Sequence, residues 1–293
     1  MRLLSLVLVG FLTLSATSAD AAILGRGAKP APVASDRVVT EIQRALDEQR
    51  LLDAARYLDE TLVAGMKDPR LVLLNGDLNL ARGRYNAALA AYKDAEATPA
   101  LRAKAMQGQG LALSLLGRSP EALTALQRAV TEDPTAWRAW NALGSEYDTR
   151  GQWTEAEAAY QQAITASGAA AIVLNNRGYS RLLQHRRDEA IADLVAALQK
   201  KPDMAEARTN LRLALAMGGD YDRAIAGGDA ADQAAMLNNA GFAAGMRGDY
   251  AQAESLLGRA LTLKGEYYGR ASENLKIIRA LAAQNAKTPD AAP

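Results

Sequence analysis

The sequence predicts an all-α fold: a right-handed superhelical α-solenoid of about seven helix-turn-helix repeats, closed by a single C-terminal helix. Three observations predict it. Similarity recurs every thirty-four residues through the abutting frames 35–68, 69–102, 103–136, 137–170 and 171–204, then through a shortened frame 205–233 and through 234–267. A fixed period of that length marks a repeat architecture. The twentieth position of the frame is Ala54, Ala88, Ala122, Ala156, Ala190, Ala224 and Ala253, the same residue every time. Hydrophobic residues make up 49% of the chain, yet aromatics only 5%, and 63 of the 293 residues are Ala. Small apolar side chains in that proportion suit closely packed helices.

Taken in order, the chain opens on Met1 and Arg2, then a twelve-residue apolar run from Leu3 to Leu14, then Ala19-Asp20-Ala21. This order of basic start, apolar stretch and small-residue cleavage site is that of a secretory signal over 1–21. Twelve residues span only ~18 Å as a helix, too short for ~30 Å of hydrocarbon. Residues 22–34, with two Gly and two Pro, read as a flexible leader. Within the frames, the eighth position is Gly76, Gly110, Gly144, Gly178 and Gly241, with Ile42 and Arg212 as exceptions. It is expected to face the Ala of position twenty where the two helices of a repeat cross. The twenty-seventh position is Ala95, Ala129, Ala163, Ala197 and Ala260, where the second helix meets the next repeat. Gly83, Gly117, Gly151 and Gly248 mark the turn between the helices, where a helix cap takes positive φ. Pro134 and Pro202 end second helices, because proline cannot continue one.

The first frame departs from the pattern at Ile42, Gln49 and Thr61, and the sixth is expected to lose half its second helix at Gly227-Gly228. Leu275, Ile277 and Ile278 among Arg270, Glu273, Lys276 and Arg279 predict a polar-faced capping helix over 268–283. Residues 284–293 read as a disordered tail.

Charge and composition exclude much chemistry. Thirty-four Lys+Arg against 33 Asp+Glu leave a net charge of +1, without the bulk attraction to phosphates of nucleic-acid binders. The absence of Cys removes disulfides and thiol catalysis, and the single His185 removes H-E-x-x-H zinc sites. Gly108-Gln109-Gly110 lies inside a predicted helix and reads as repeat packing rather than a nucleotide loop. His185 falls at an inter-helix turn with no catalytic partner motif. Carboxylates spread over polar helix faces read as solvated, and Tyr85, Tyr147, Tyr160, Tyr250, Trp140 and Trp153 as core. No catalytic residue, cofactor or metal is expected, and the protein is not expected to be an enzyme.

Trp140-x₂-Leu143-Gly144-x₂-Tyr147, followed by Ala156-x₃-Tyr160, resembles the tetratricopeptide repeat, with Tyr in place of the usual Phe. The resemblance implies first helices lining a concave inner wall and second helices an outer one. A narrower likeness is to the repeat component of bacterial tight-adherence pilus secretion systems. It rests on the exported N-terminus, Leu174-Asn175-Asn176-Arg177-Gly178, Ala207-Arg208-Thr209-Asn210-Leu211, Leu237-Asn238-Asn239-Ala240-Gly241 and the ending Tyr267-Tyr268-Gly269-Arg270-Ala271-Ser272-Glu273-Asn274-Leu275. That resemblance implies a periplasmic factor assisting outer-membrane pilus assembly. Many members of that family are lipoproteins, whereas this chain has no Cys to carry a lipid.

The expected function is that of a non-enzymatic exported adaptor binding protein partners of an envelope machine. The alternative is a structural subunit that contacts partners through its convex face. The expected groove centres on the sixth position of three consecutive frames, Asn176, Asn210 and Asn239, and on the fifth position, Asn141, Asn175 and Asn238. Asn is a poor helix-interior residue, but its amide offers the donor and acceptor of a peptide backbone. Tyr179, Phe242, Leu183, Met217 and Met246 would supply apolar contacts beside them. On this reading, Ala at Asn176, Asn210 and Asn239 leaves folding nearly unaffected. A second surface is a basic row at the second position, Arg70, Lys104 and Arg138, suited to an acidic segment.

Overall fold

The computed structural model describes residues 36–227, 230–264 and 268–287. The expected signal at 1–21, the leader at 22–34 and the end of the tail at 288–293 lie outside the described residues. Among the described residues there are fifteen α-helices and one 3₁₀ turn, and no strand. The chain divides between Ala169 and Ala170 into two compact units.

The first unit holds four repeats: α1 (Asp36–Asp47) with α2 (Leu51–Val63), α3 (Pro69–Ala81) with α4 (Tyr85–Glu96), α5 (Arg102–Leu115) with α6 (Ser119–Glu132), and α7 (Trp137–Thr149) with α8 (Trp153–Ser167). A 3₁₀ turn, Pro99–Leu101, leads into α5. The start of α3 shows the local logic. Pro69 occupies the first turn, where no N–H is needed, and the Asp68 carboxylate accepts from the Arg70 backbone N–H at 2.9 Å. As expected, α6 stops at Glu132, before Pro134.

In five of the seven repeats the crossing of the two helices follows from two small positions. The position-twenty Ala is buried in all seven repeats. A Cβ on Gly76 would sit 2.6 Å from the Tyr92 ring, and on Gly144 2.6 Å from the Tyr160 ring. The large side chain at position twenty-four fills the space that glycine leaves, so the helices approach at full van der Waals contact. The position-twenty carbonyl is the next neighbour, with Ala122 O 3.4 Å from such a Cβ on Gly110. Tyr92 is enclosed on both sides, because a Cβ on Gly108 would also fall 2.5 Å from its ring. Gly108 therefore packs between repeats, as its helical setting suggested.

The second unit holds α9 (Ala171–Leu183) with α10 (Arg187–Lys200), α11 (Ala205–Met217) with the four-residue α12 (Tyr221–Ala224), α13 (Ala230–Met246) with α14 (Tyr250–Lys264), and α15 (Gly269–Lys287). The short α12 agrees with the glycine-interrupted frame. Two boundaries differ from expectation. Helix α13 begins at Ala230, ahead of the frame start at 234, because Ala230-Ala231 favours helix once the chain leaves the glycines. Helix α15 runs to Lys287 instead of ending at 283, so the first part of the expected tail is helical; the sequence Ala282-Ala283-Gln284-Asn285-Ala286 contains no breaker. In the cap, Ile278 is fully buried against Gly245, while Ile277 is exposed.

Two further expectations need correction. Trp153 is 36% exposed and lies at the surface, since it opens α8 beyond the crossing point. Several carboxylates are internal rather than solvated: Asp68, Glu146 and Asp193 are buried, each with a bonded partner that replaces water.

Candidate functional site

In the second unit the first helices of successive repeats lie side by side: α9 packs on α11, α11 on α13, and α13 on α15. Position five of α9 and α13 turns inward, so Asn175 and Asn238 are buried. Their neighbours Asn176 and Asn210 are half-buried and Asn239 is exposed. The amides form two matching relays. Asn210 Nδ2 donates to Asn175 Oδ1 at 2.9 Å, and Asn175 Nδ2 donates to Asn176 Oδ1 at 3.1 Å. Asn274 Nδ2 donates to Asn238 Oδ1 at 2.9 Å, and Asn238 Nδ2 donates to Asn239 Oδ1 at 3.1 Å. The first relay joins two first helices and the second joins a first helix to the cap, and each satisfies a buried amide that would otherwise carry a desolvation cost.

The expected apolar neighbours divide. Leu183 and Met246 are exposed, at 40% and 62%, while Tyr179, Met217 and Phe242 are half-buried. Asn141 is half-buried on α7 of the first unit. The exposed His185 sits at the rim of a cavity of ≈530 Å³ with Arg186 and Arg187, whose charges are matched by Glu189 and Asp188.

The basic row lies in the first unit, and its members are not alike. Arg70 is engaged by Asp68 and by Asp36, each at 2.6 Å. Bonding to Arg70 holds the Asp68 carboxyl below its ordinary pKa, against its own burial. Arg138 stacks over the Trp137 ring at 4.3 Å. Lys104 is exposed on α5. The charges of Lys104 and Arg138 also act on Asp77 of α3, whose carboxyl is pushed up to about 6 by burial, against a hydrogen bond from the Tyr92 hydroxyl at 2.6 Å.

Sequence reasoning missed one buried ionic cluster. Asp193 on α10 accepts from Arg177 at 2.7 and 2.8 Å and from Arg181 at 2.8 Å, with all three side chains nearly closed to solvent. The i, i+4 spacing of the two arginines was the available signal, but it occurs once and carries no period. Among the described residues, no group of three His, Cys, Asp or Glu side chains gathers to hold a metal ion, and no helix is long and apolar enough to cross a membrane.

Among curated proteins, none matches this sequence. Among solved structures, it is similar to a chain of the APC/C hetero-tetramer Cut9–Hcn1, at 15% identity and TM-score 0.65, over 84% of this chain and about half (49%) of that one. It is also similar to a thermophilic repeat protein of Thermus thermophilus, at 21% identity and TM-score 0.57, over 62% of this chain and 99% of that one. A repeat protein of Parabacteroides merdae aligns at 15% identity and TM-score 0.52, over 83% and 98%. At these identities the likeness speaks for the fold alone. The tetratricopeptide repeat model matches residues 39–103, 108–172 and 175–239, more than half of the sequence. With its Ala and Gly crossings and stacked helix pairs, the chain belongs to the tetratricopeptide repeat family.

Proposed function

We propose that the protein is a non-catalytic adaptor that holds an extended protein segment against the first-helix face of its second unit. The observation that carries this reading is the end of the second relay. Asn239 accepts from Asn238 and, being exposed, offers its own Nδ2 hydrogens outward. Beside it, half-buried Asn210 uses a donor within the array and keeps its Oδ1 for another partner. One outward donor and one acceptor on adjacent helices suit the alternating N–H and C=O of a peptide. Exposed Met246 and Leu183 add adaptable apolar contact.

The signal-like start and the four motif stretches shared with tight-adherence repeat proteins support a periplasmic adaptor for a pilus or secretion machine. The partners would be envelope or pilus-assembly proteins. A second reading, a structural subunit using its outer face, is favoured by one observation: Leu52 and Val63 on α2 are 84% and 89% exposed. Photo-crosslinkers placed at Asn239 and, separately, at Leu52 in the native envelope distinguish the two. Capture from Asn239 and not from Leu52 is expected; the reverse would favour the outer face. N-terminal sequencing of the envelope protein should begin near Ala22, and an intact Met1 in the cytosol would end the export reading.

A further inference from the structure

The shortened sixth repeat puts a charge where the other repeats have none. In five repeats position eight is a Gly covered by the position-twenty-four side chain, as Leu194 covers Gly178 and Leu257 covers Gly241, and in the first it is the apolar Ile42, buried in one cluster with Leu58. In the sixth repeat α12 ends at Ala224, position twenty, so no side chain of that helix arrives, and position eight is Arg212. Next to it, between α11 and α13, lies a cavity of ≈150 Å³. Thr209, Arg212 and Leu213 bound it on one side, and Asp232, Met236 and Asn239 on the other. A cavity of about that size accepts a benzene-sized group, which is ample for one short side chain.

The Arg212 guanidinium is half-buried, and among the described residues it makes one hydrogen bond, to the Ala226 carbonyl at 3.1 Å. That engages one of five donors. Neither Arg212 nor Arg208, one turn earlier on the same helix, forms an ion pair among the described residues. The contrast is with Arg177 and Arg181 of α9, which are more buried and both bound to Asp193. Burial, with repulsion from Arg208, draws the Arg212 pKa below its ordinary value; Asp232 at the rim pulls weakly the other way. A carboxylate brought to Arg212 would relieve both costs and form charge-assisted bonds in a partly desolvated site.

We propose that this cavity is the specificity pocket of the groove, taking the carboxylate of an Asp or Glu side chain from the bound segment onto Arg212 while Asn239 holds the adjoining backbone. The proposal rests on the groove reading above. It commits to a side-chain carboxylate because the bound segment is extended and runs past the pocket, and because Arg208 and Arg212 supply the complementary charge.

The test is selection of a random dodecapeptide library, displayed internally in a phage coat protein so that no free C-terminus is presented, on the full mature chain. Enriched peptides should share one acidic position. Selection on Arg212→Gln should lose that acidic position, and selection on Arg212→Lys should keep it. A capped synthetic peptide from the enriched set should bind at least tenfold more weakly once its acid is replaced by the matching amide, a comparison that leaves the protein unaltered. The same replacement should make no difference on Arg212→Gln. Enrichment without an acidic position, or one that persists unchanged on Arg212→Gln, overturns the pocket and leaves the groove standing. No enrichment at all overturns the groove, and the pocket with it.

Discussion

Tyr92 donates its hydroxyl to the Asp77 carboxylate at 2.6 Å while its ring is enclosed between Gly76 and Gly108. One side chain thus closes the crossing within its own repeat, contacts the next, and ties down an internal acid. Burial raises the pKa of Asp77 to about 6, although the Tyr92 bond, Lys104 and Arg138 all oppose the rise. A carboxyl whose folded pKa exceeds its unfolded one favours the protonated native state. Its contribution is therefore complete below about pH 3.9 and is lost as pH rises through about 6. Two pKa units correspond to at most about 3 kcal/mol. Urea unfolding between pH 4 and 7.5 should show this loss in the wild type and not in Asp77→Asn. Parallel pH profiles would show that Asp77 is solvated.

Tyr92→Phe separates the two roles of that side chain. The ring remains between its glycines, but Asp77 loses a bond that favours its charged form, so its titration should move upward from about 6. Carboxyl NMR of the native protein reads this directly. A midpoint that moves down would mean the bond stabilises the neutral acid instead.

Asp193 offers a sharper energetic test. Replacing it with Ala takes the buried counter-ion from Arg177 and from Arg181, and leaves Arg181 with the exposed Glu189 at 3.7 Å. Removing one partner of a buried pair costs about 3–5 kcal/mol. Asp193→Ala should lower the denaturation midpoint far more than Asp188→Ala, whose exposed carboxylate pairs, among the described residues, only with Arg187. Equal effects would place the cluster in water.

What the sequence made legible was whatever repeats. Ala at position twenty and Gly at position eight recur because the same helix crossing is built several times, so residue type alone reveals the contact. Asp193 was illegible because its cluster is built once, across sixteen residues and two helices. The asparagines stand between these cases. Their positions recur, but an amide bonds in either direction, and only the packing of α9 on α11 determines that Asn210 donates to Asn175. Arg212 stood out only as an exception to glycine; its cause, the absent end of α12, was visible as Gly227-Gly228, but the cavity beside it was not.

The turn position shows a constraint that the residue types only half express. Position fifteen has positive φ in all seven repeats: Gln49 (58°), Gly83, Gly117, Gly151, His185 (60°), Gly219 and Gly248. A side chain in the left-handed region costs about 1–2 kcal/mol, while glycine brings back about 0.5–1 kcal/mol of unfolded-state entropy. His185→Gly and Gln49→Gly should therefore each stabilise by about 0.5–1 kcal/mol, seen as a higher melting temperature. Destabilisation by His185→Gly would mean that the imidazole makes a contact worth more than the strain.

The relays change what removing asparagine should do. Ala at Asn210 deletes the donor to Asn175 Oδ1, and Asn175 is buried, so its carbonyl is left without that partner. Leaving such a group unsatisfied costs about 1–3 kcal/mol, well above the few tenths that Ala returns in helix propensity. The expectation that Ala at Asn176, Asn210 and Asn239 leaves folding nearly unaffected is thereby revised for Asn210. Asn274→Ala should cost a similar amount, because Asn274 plays the same part for buried Asn238. The double substitution should be close to additive, since the two relays have no residue in common. Chemical denaturation of the two single variants and the double one tests this. Losses under ~0.3 kcal/mol for both singles, far below the cost of a stranded buried carbonyl, would mean that water replaces the missing donors and that the face of these helices is wetter than its packing indicates.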